Sequence, residues 1–171
     1  VTLAFSYIWK GVALIVLPTP GGYVNPEFSG FLSKGGLFPP AIAIVVLTLV
    51  LWKLFKTTRT GLSIYAVGGN PRAAYESGLN VQRTKLIAYL ISGILLGIAG
   101  LLLAGQISSG DPTIGTSYQM NSVAAAVLGG VSFLGGVGQM KGAVMGAFIF
   151  TALVNLLFFS GMNAFWQYVV Q

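Results

Sequence analysis

Four long apolar stretches and one polar, basic block divide this chain. Residues 1–17 are apolar apart from Lys10 and end at Pro18-Thr19-Pro20-Gly21-Gly22. Residues 39–55 are rich in Ile, Val and Leu, residues 86–107 carry no charge, and residues 142–161 form the last complete run. A bilayer-spanning helix needs roughly twenty apolar residues rising about 1.5 Å each, so each run predicts a span. Residues 121–137 are shorter and broken by Gly129-Gly130 and Gly135-Gly136. They predict either a thin span or two half-helices meeting at an unwound point, where protein or water must cover the backbone. The span is preferred because it keeps Lys141 on the same side as the basic block. The expected fold is all-α: a polytopic transmembrane helix bundle of about five spans, forming one domain over 1–171 with a loop at 56–85.

The block 56–85 contains GGNPRAAYESG at 68–78. Asn70 suits an N-cap, Pro71 the first helical position, and Gly78 the left-handed residue that closes a helix. Arg72, Ala73, Ala74, Tyr75, Glu76 and Ser77 fill the two turns between. A free helix this short is marginal in water, so it must pack against its own protein or against a partner. The small alanines permit close approach, and Tyr75 and Leu79 are anchors of the kind that dominate interfaces. The plainer alternative is a solvated loop whose cations only set topology.

Composition narrows the class. Of 171 residues, 55% are hydrophobic and 7% charged, against about a quarter charged in soluble domains. The net charge is +6, but the cations gather at the ends of apolar runs, as topology signals do, rather than forming a nucleic-acid footprint. Lys53, Lys56, Arg59, Arg72, Arg83, Lys85 and Lys141 fall on one side of a five-span arrangement, which the positive-inside tendency makes cytoplasmic. The opposite loops hold Lys34, Glu27 and Asp111. With no cysteine, no histidine and three carboxylates, metal sites and paired-carboxylate or histidine catalysis lack their parts. No catalytic, cofactor-binding or metal-binding residue is expected in this chain, and it is not expected to be an enzyme.

Glycines recur at four-residue spacing, Gly93 and Gly97, then Gly138, Gly142 and Gly146, a pattern that lets membrane helices approach closely. The stretch Gly135 to Gly142 fails as a phosphate loop, because Met140 precedes Lys141 and Gly142 follows it. The closing WQYVVQ reads as the start of another span, so the chain is expected to be a fragment of a longer polytopic protein.

TRTGLSIYAVGGNPRAAYESGLNVQRTKLIAYLISG at 58–93 resembles the cytoplasmic-loop region of ribose-type ABC importer permeases. Gly61, Tyr65, Ala66, Gly68, Gly69, Asn70, Ala73, Ala74, Ser77 and Gly78 match that family's pattern, while Leu62 and Leu79 depart from it. Ser109 to Gly115, Tyr118 to Ala126 and Leu128 to Gly138 are similar to a second family signature, with Asn121 where an acidic residue is common. The resemblance covers 57–171 well and 1–56 loosely; branched-chain amino-acid permeases share the superfamily. It implies a multi-pass bacterial inner-membrane subunit that imports a monosaccharide. Its partners would be a second permease copy, two cytoplasmic ATPase subunits holding ATP-Mg, and a periplasmic or lipid-anchored sugar-binding protein, with membrane lipid around it. The helix 70–78 would couple it to the ATPase.

Asn121, Ser122, Ser132, Thr151 and Asn155 lie in or near the apolar runs. They serve either as interhelical hydrogen-bonding groups or as the lining of a sugar path, since a neutral sugar needs donors and acceptors but no counter-charge. Lys10 is expected to snorkel or to face protein. A passive channel or ion-coupled carrier is the alternative of another class, and Lys10 is the one ionisable group available to it within a span.

Overall fold

A computed structural model describes residues 2–33 and 40–161. Eight helices follow in order: α1 (Thr2–Val16), α2 (Pro26–Ser33), α3 (Pro40–Lys56), α4 (Arg59–Gly69), α5 (Pro71–Glu76), α6 (Val81–Ile107), α7 (Gly115–Leu128) and α8 (Met140–Phe159). The expected all-α class holds among the described residues. Lys34, the first residue of the run 39–55, and the terminal WQYVVQ lie outside them.

The apolar runs became helices close to the expected bounds. α1 stops before the Pro18–Pro20 bend, and α3 and α8 match their runs within a few residues. α6 starts five residues before its apolar run, because Asn80 caps it by accepting from the Arg83 amide (3.0 Å). Two helices, Val81–Ile107 and Met140–Phe159, are long and apolar enough to cross a bilayer. The stretch 121–137 is neither a continuous helix nor two half-helices. Its first part belongs to α7, and the chain then runs non-helically from 129 to 139. Gly130, Gly135, Gly136 and Gly138 there all take positive φ, conformations that an α-helix cannot hold.

The chain separates into two compact units. Residues 1–48 and 87–116 make the first, and 49–86 and 117–171 the second. In the first, Gly21 and Gly110 exchange backbone hydrogen bonds of 3.0 and 2.9 Å, tying the loop after α1 to the loop after α6. Lys10 donates to Thr116 Oγ1 at 2.9 Å, so it faces protein. Asp111 accepts from the Thr113 hydroxyl and amide, both at 2.7 Å. These bonds, the hydroxyl's first, hold its carboxyl below the ordinary carboxylate range. A lowered folded-state pKa stabilises this turn above the unfolded value, and that support is lost as pH falls through the folded one. Asp111→Asn should therefore remove whatever acid sensitivity the 108–116 loop shows in hydrogen exchange between pH 5 and 2; an unchanged pH profile would disprove the assignment.

Few side chains are buried. Val67, Ala74, Ala125 and Thr84 are, whereas Leu90, Leu96, Leu101 and Phe148 stand more than half exposed on α6 and α8. A water-soluble monomer rarely leaves contiguous apolar surface on this scale. Lipid or neighbouring helices must cover these faces.

Candidate functional site

The second unit assembles the polar block and the glycine-rich connection into one structure. Thr58 caps α4, its side chain accepting from the Gly61 amide at 3.2 Å. α4 ends at Gly69, and Asn70 turns the chain directly into α5. The Asn70 side chain accepts from the Arg72 and Ala73 amides, both at 3.1 Å, with Pro71 at the first helical position. At the other end Gly78 takes φ +82°. Its amide donates to the Tyr75 carbonyl (2.9 Å) and the Leu79 amide to the Ala74 carbonyl (3.1 Å), the paired closure of a Schellman motif. Both ends of a six-residue helix are thus satisfied without a partner. Asn70→Ala should cost about 1 kcal/mol of local stability, read as faster amide exchange confined to residues 71–76; exchange matching the parent protein would refute the capping role.

α5 folds against α4 and buries Ala74. Residues 59–69, read from sequence as connecting loop, are helical, so the block is a helix–turn–helix. Ala74 therefore faces inward, whereas Arg72, Ala73, Tyr75 and Glu76 are exposed. The Arg72–Glu76 pair is 3.6 Å apart and almost wholly solvated, so it adds little to stability.

The two glycine pairs of the motifs meet. A Cβ on Gly68 would lie 2.7 Å from the Gly136 nitrogen, and one on Gly136 would overlap Gly69. Tyr65 reinforces the junction: its hydroxyl donates to the Gly138 carbonyl at 3.2 Å, and Lys56 Nζ sits 4.9 Å from its ring centroid. The connection 129–139 is thus clamped to α4. Beyond it, Gly142 and Gly146 bring the start of α8 against Gly129 and Ala125 at the end of α7. Gly93 and Gly97 have nothing within 4 Å of a Cβ position. Sequence spacing alone could not separate the two sets.

The polar residues of the apolar runs divide differently. Ser122 and Thr151 hydroxyls donate to carbonyls of their own helices, Gln119 (3.1 Å) and Ala147 (2.8 Å). Ser132 shapes the connection by accepting from the Leu134 amide (3.3 Å). Asn121 is half-buried on α7, and Asn155 is exposed on α8. These five do not form one cluster of mutual hydrogen bonds.

Apolar helices with uncovered faces, joined through a clamped and capped helix pair, fit an integral membrane protein. The chain belongs to the family described as branched-chain amino acid transport system / permease component, whose model matches residues 2–171. It is 44% identical over 134 residues to the xylose transport system permease XylH of Escherichia coli K12, covering 77% of this chain and 34% of that protein. It is 42% identical over 144 residues to the galactose/methyl galactoside import permease MglC of Salmonella typhimurium, covering 83% and 43%. With the ribose import permease RbsC of Bacillus subtilis it shares 38% identity over 176 residues, covering 99% and 54%. The chain spans between a third and about half of these relatives. No solved structure matches it.

Proposed function

We propose that this chain is the greater part of one half of a bacterial inner-membrane permease that imports a monosaccharide, driven by ATP hydrolysed in a partner. The carrying observation is the α4–α5 pair: a helix capped at both ends, exposing Ala73 and Tyr75 between α3 and α6. Its setting in a chain 38–44% identical to xylose, galactose and ribose permeases favours a sugar over a branched-chain amino acid. α5 docks in a groove of a cytoplasmic ATPase, and Gly68-Gly69 against Gly135-Gly136 passes its movement to α7 and α8. A second permease copy covers part of the exposed apolar surface. A binding protein delivers the sugar, which Asn121 and Asn155 help to line. ATP-Mg stays in the ATPase.

In this reading α1, α3, α6, α7 and α8 supply five crossings of one permease domain. At 14 residues, α7 rises only roughly 21 Å, so its crossing is completed by the non-helical 129–139. Lys53, Lys56 and Lys141 line one concavity, which agrees with a common, cytoplasmic side. Single cysteines at positions 75, 113 and 139, in a chain without native cysteine, check this topology. An impermeant thiol reagent added to intact cells should label 113 alone; labelling of 75 from outside would invert the arrangement.

The full permease, reconstituted with its ATPase and binding protein in liposomes, should take up xylose, ribose or galactose only with ATP. Uptake of leucine or valine instead would select the amino-acid reading. Sugar uptake without any retained ATPase would select a passive channel or ion-coupled carrier.

A further inference from the structure

Where α3 ends and α8 begins, the second unit holds a cavity of about 170 Å³ whose lining includes Trp52, Lys53, Lys56, Gln139 and Lys141. Lysines at helix ends are ordinary topology signals, but three further features make this a built site. The Trp52 indole N–H is shielded from solvent and has no hydrogen-bond partner among the described residues. A buried donor left so costs free energy that a ligand acceptor would recover. α8 starts at the same cavity, and Gln139 supplies no side-chain cap, so the first-turn amides of a 20-residue helix stay open to an anion. Lys56 is held over the Tyr65 ring at 4.9 Å, while Lys53 and Lys141 are exposed and have no carboxylate partner among the described residues.

Lysine ammoniums and the open amides of α8 thus meet at the cavity, with the Trp52 indole in its wall and no carboxylate among the lining residues. The group they fit is a phosphate monoanion or diester. Leu49 and Met140 add an apolar part to the lining, beside Tyr65, and outside it Val46, Val50 and Leu54 on α3 are half exposed or more. An anionic head would therefore sit in the cavity while acyl chains ran along α3, the arrangement by which basic pockets between membrane helices hold acidic lipids. A tryptophan beside lysines at the end of an apolar helix is usual for the bilayer interface.

We infer that this cavity is a specific binding site for the phosphate of an anionic phospholipid. The site clamps α3 to the start of α8 and is independent of which solute the permease carries. Because Lys56 and Tyr65 belong both to it and to the α4 clamp, lipid would stiffen the hairpin that the ATPase engages.

The test uses the full permease in detergent micelles, with phosphatidylglycerol titrated in and binding read by native mass spectrometry and by melting temperature. Wild type should bind one phosphatidylglycerol in preference to phosphatidylcholine. Lys53→Gln with Lys141→Gln should bind it about thirty-fold more weakly, and Trp52→Phe, which removes the indole N–H together with part of the ring, several-fold more weakly. Lys85→Gln, a cation outside the cavity, should bind normally. Four results would overturn the assignment. The double variant could bind as wild type does. Lys85→Gln could weaken binding equally, which indicates surface potential alone. Inorganic phosphate at millimolar concentration could stabilise the protein and displace the lipid, which indicates a free-anion site. Loss of ATPase co-purification in the double variant, with lipid binding unchanged, would likewise assign the cavity to the protein partner. Both substituted lysines are exposed, so each variant should melt like wild type in lipid-free micelles.

Discussion

Valine at Gly129 or Gly142 is expected to prevent accumulation of folded protein. A Cβ on Gly129 would overlap the Gly142 carbonyl and lie 2.8 Å from the Ala143 Cα; one on Gly142 would overlap the Gly129 carbonyl. These are backbone atoms, so no rotamer can yield, and the two helices must separate. Overpacking of this kind costs about 3 kcal/mol or more, a large share of the stability of a marginal fold. The helices would also lose the close backbone contact that stands in for hydrophobic drive inside a bilayer. Gly93→Val and Gly97→Val are the controls, since a Cβ there meets nothing within 4 Å. Detergent-extracted yield and size-exclusion profile should collapse for the first pair and hold for the second. Equal behaviour of all four would show that the α7–α8 contact is not close.

What could be read from the sequence was what neighbouring residues decide. Apolar length set the helices, and Asn70, Pro71 and Gly78 set both ends of α5, because a cap is made within four or five residues. α4 was missed for the opposite reason. Gly61 and Gly68-Gly69 lower helix propensity, and the contact that offsets this at the glycine pair is tertiary. The glycine pair is pressed against Gly135-Gly136. Such a contact between segments more than sixty residues apart leaves no mark in local pattern. The inward turn of Ala74 follows from the same fold-back of α5 onto α4. Polar residues were legible as polar, but not as bonded. Ser122 and Thr151 return their hydrogen bonds to their own helices, whereas Asn121 and Asn155, with longer side chains, remain candidates for the sugar path.

Ala73→Arg and Tyr75→Ala should each reduce ATP-driven uptake about thirty-fold or more, while the permease inserts and melts as wild type does. Tyr75 is 72% exposed on a helix whose ends are already satisfied, so little ordering remains to oppose its docking. An exposed aromatic on a rigid element is what makes an interface hot spot, and truncating one costs about 2 kcal/mol or more, roughly thirty-fold in binding. Arginine at Ala73 places a long cation where only a methyl group stood, which blocks close approach without touching the α4 side. Ala74→Arg cannot serve this purpose: Ala74 is buried, and its replacement would dislodge α5 from α4 whether or not anything docks there. Gly78→Pro is also unsuitable, since proline cannot adopt φ +82°. In the proposed reading, ATP biases the membrane helices only through a contact that differs between the two states of the transporter, and the exposed α5 face would supply it. Basal ATPase activity of the assembled variants should therefore persist while its stimulation by sugar-loaded binding protein is lost. Full stimulation in both variants would remove α5 from the coupling path.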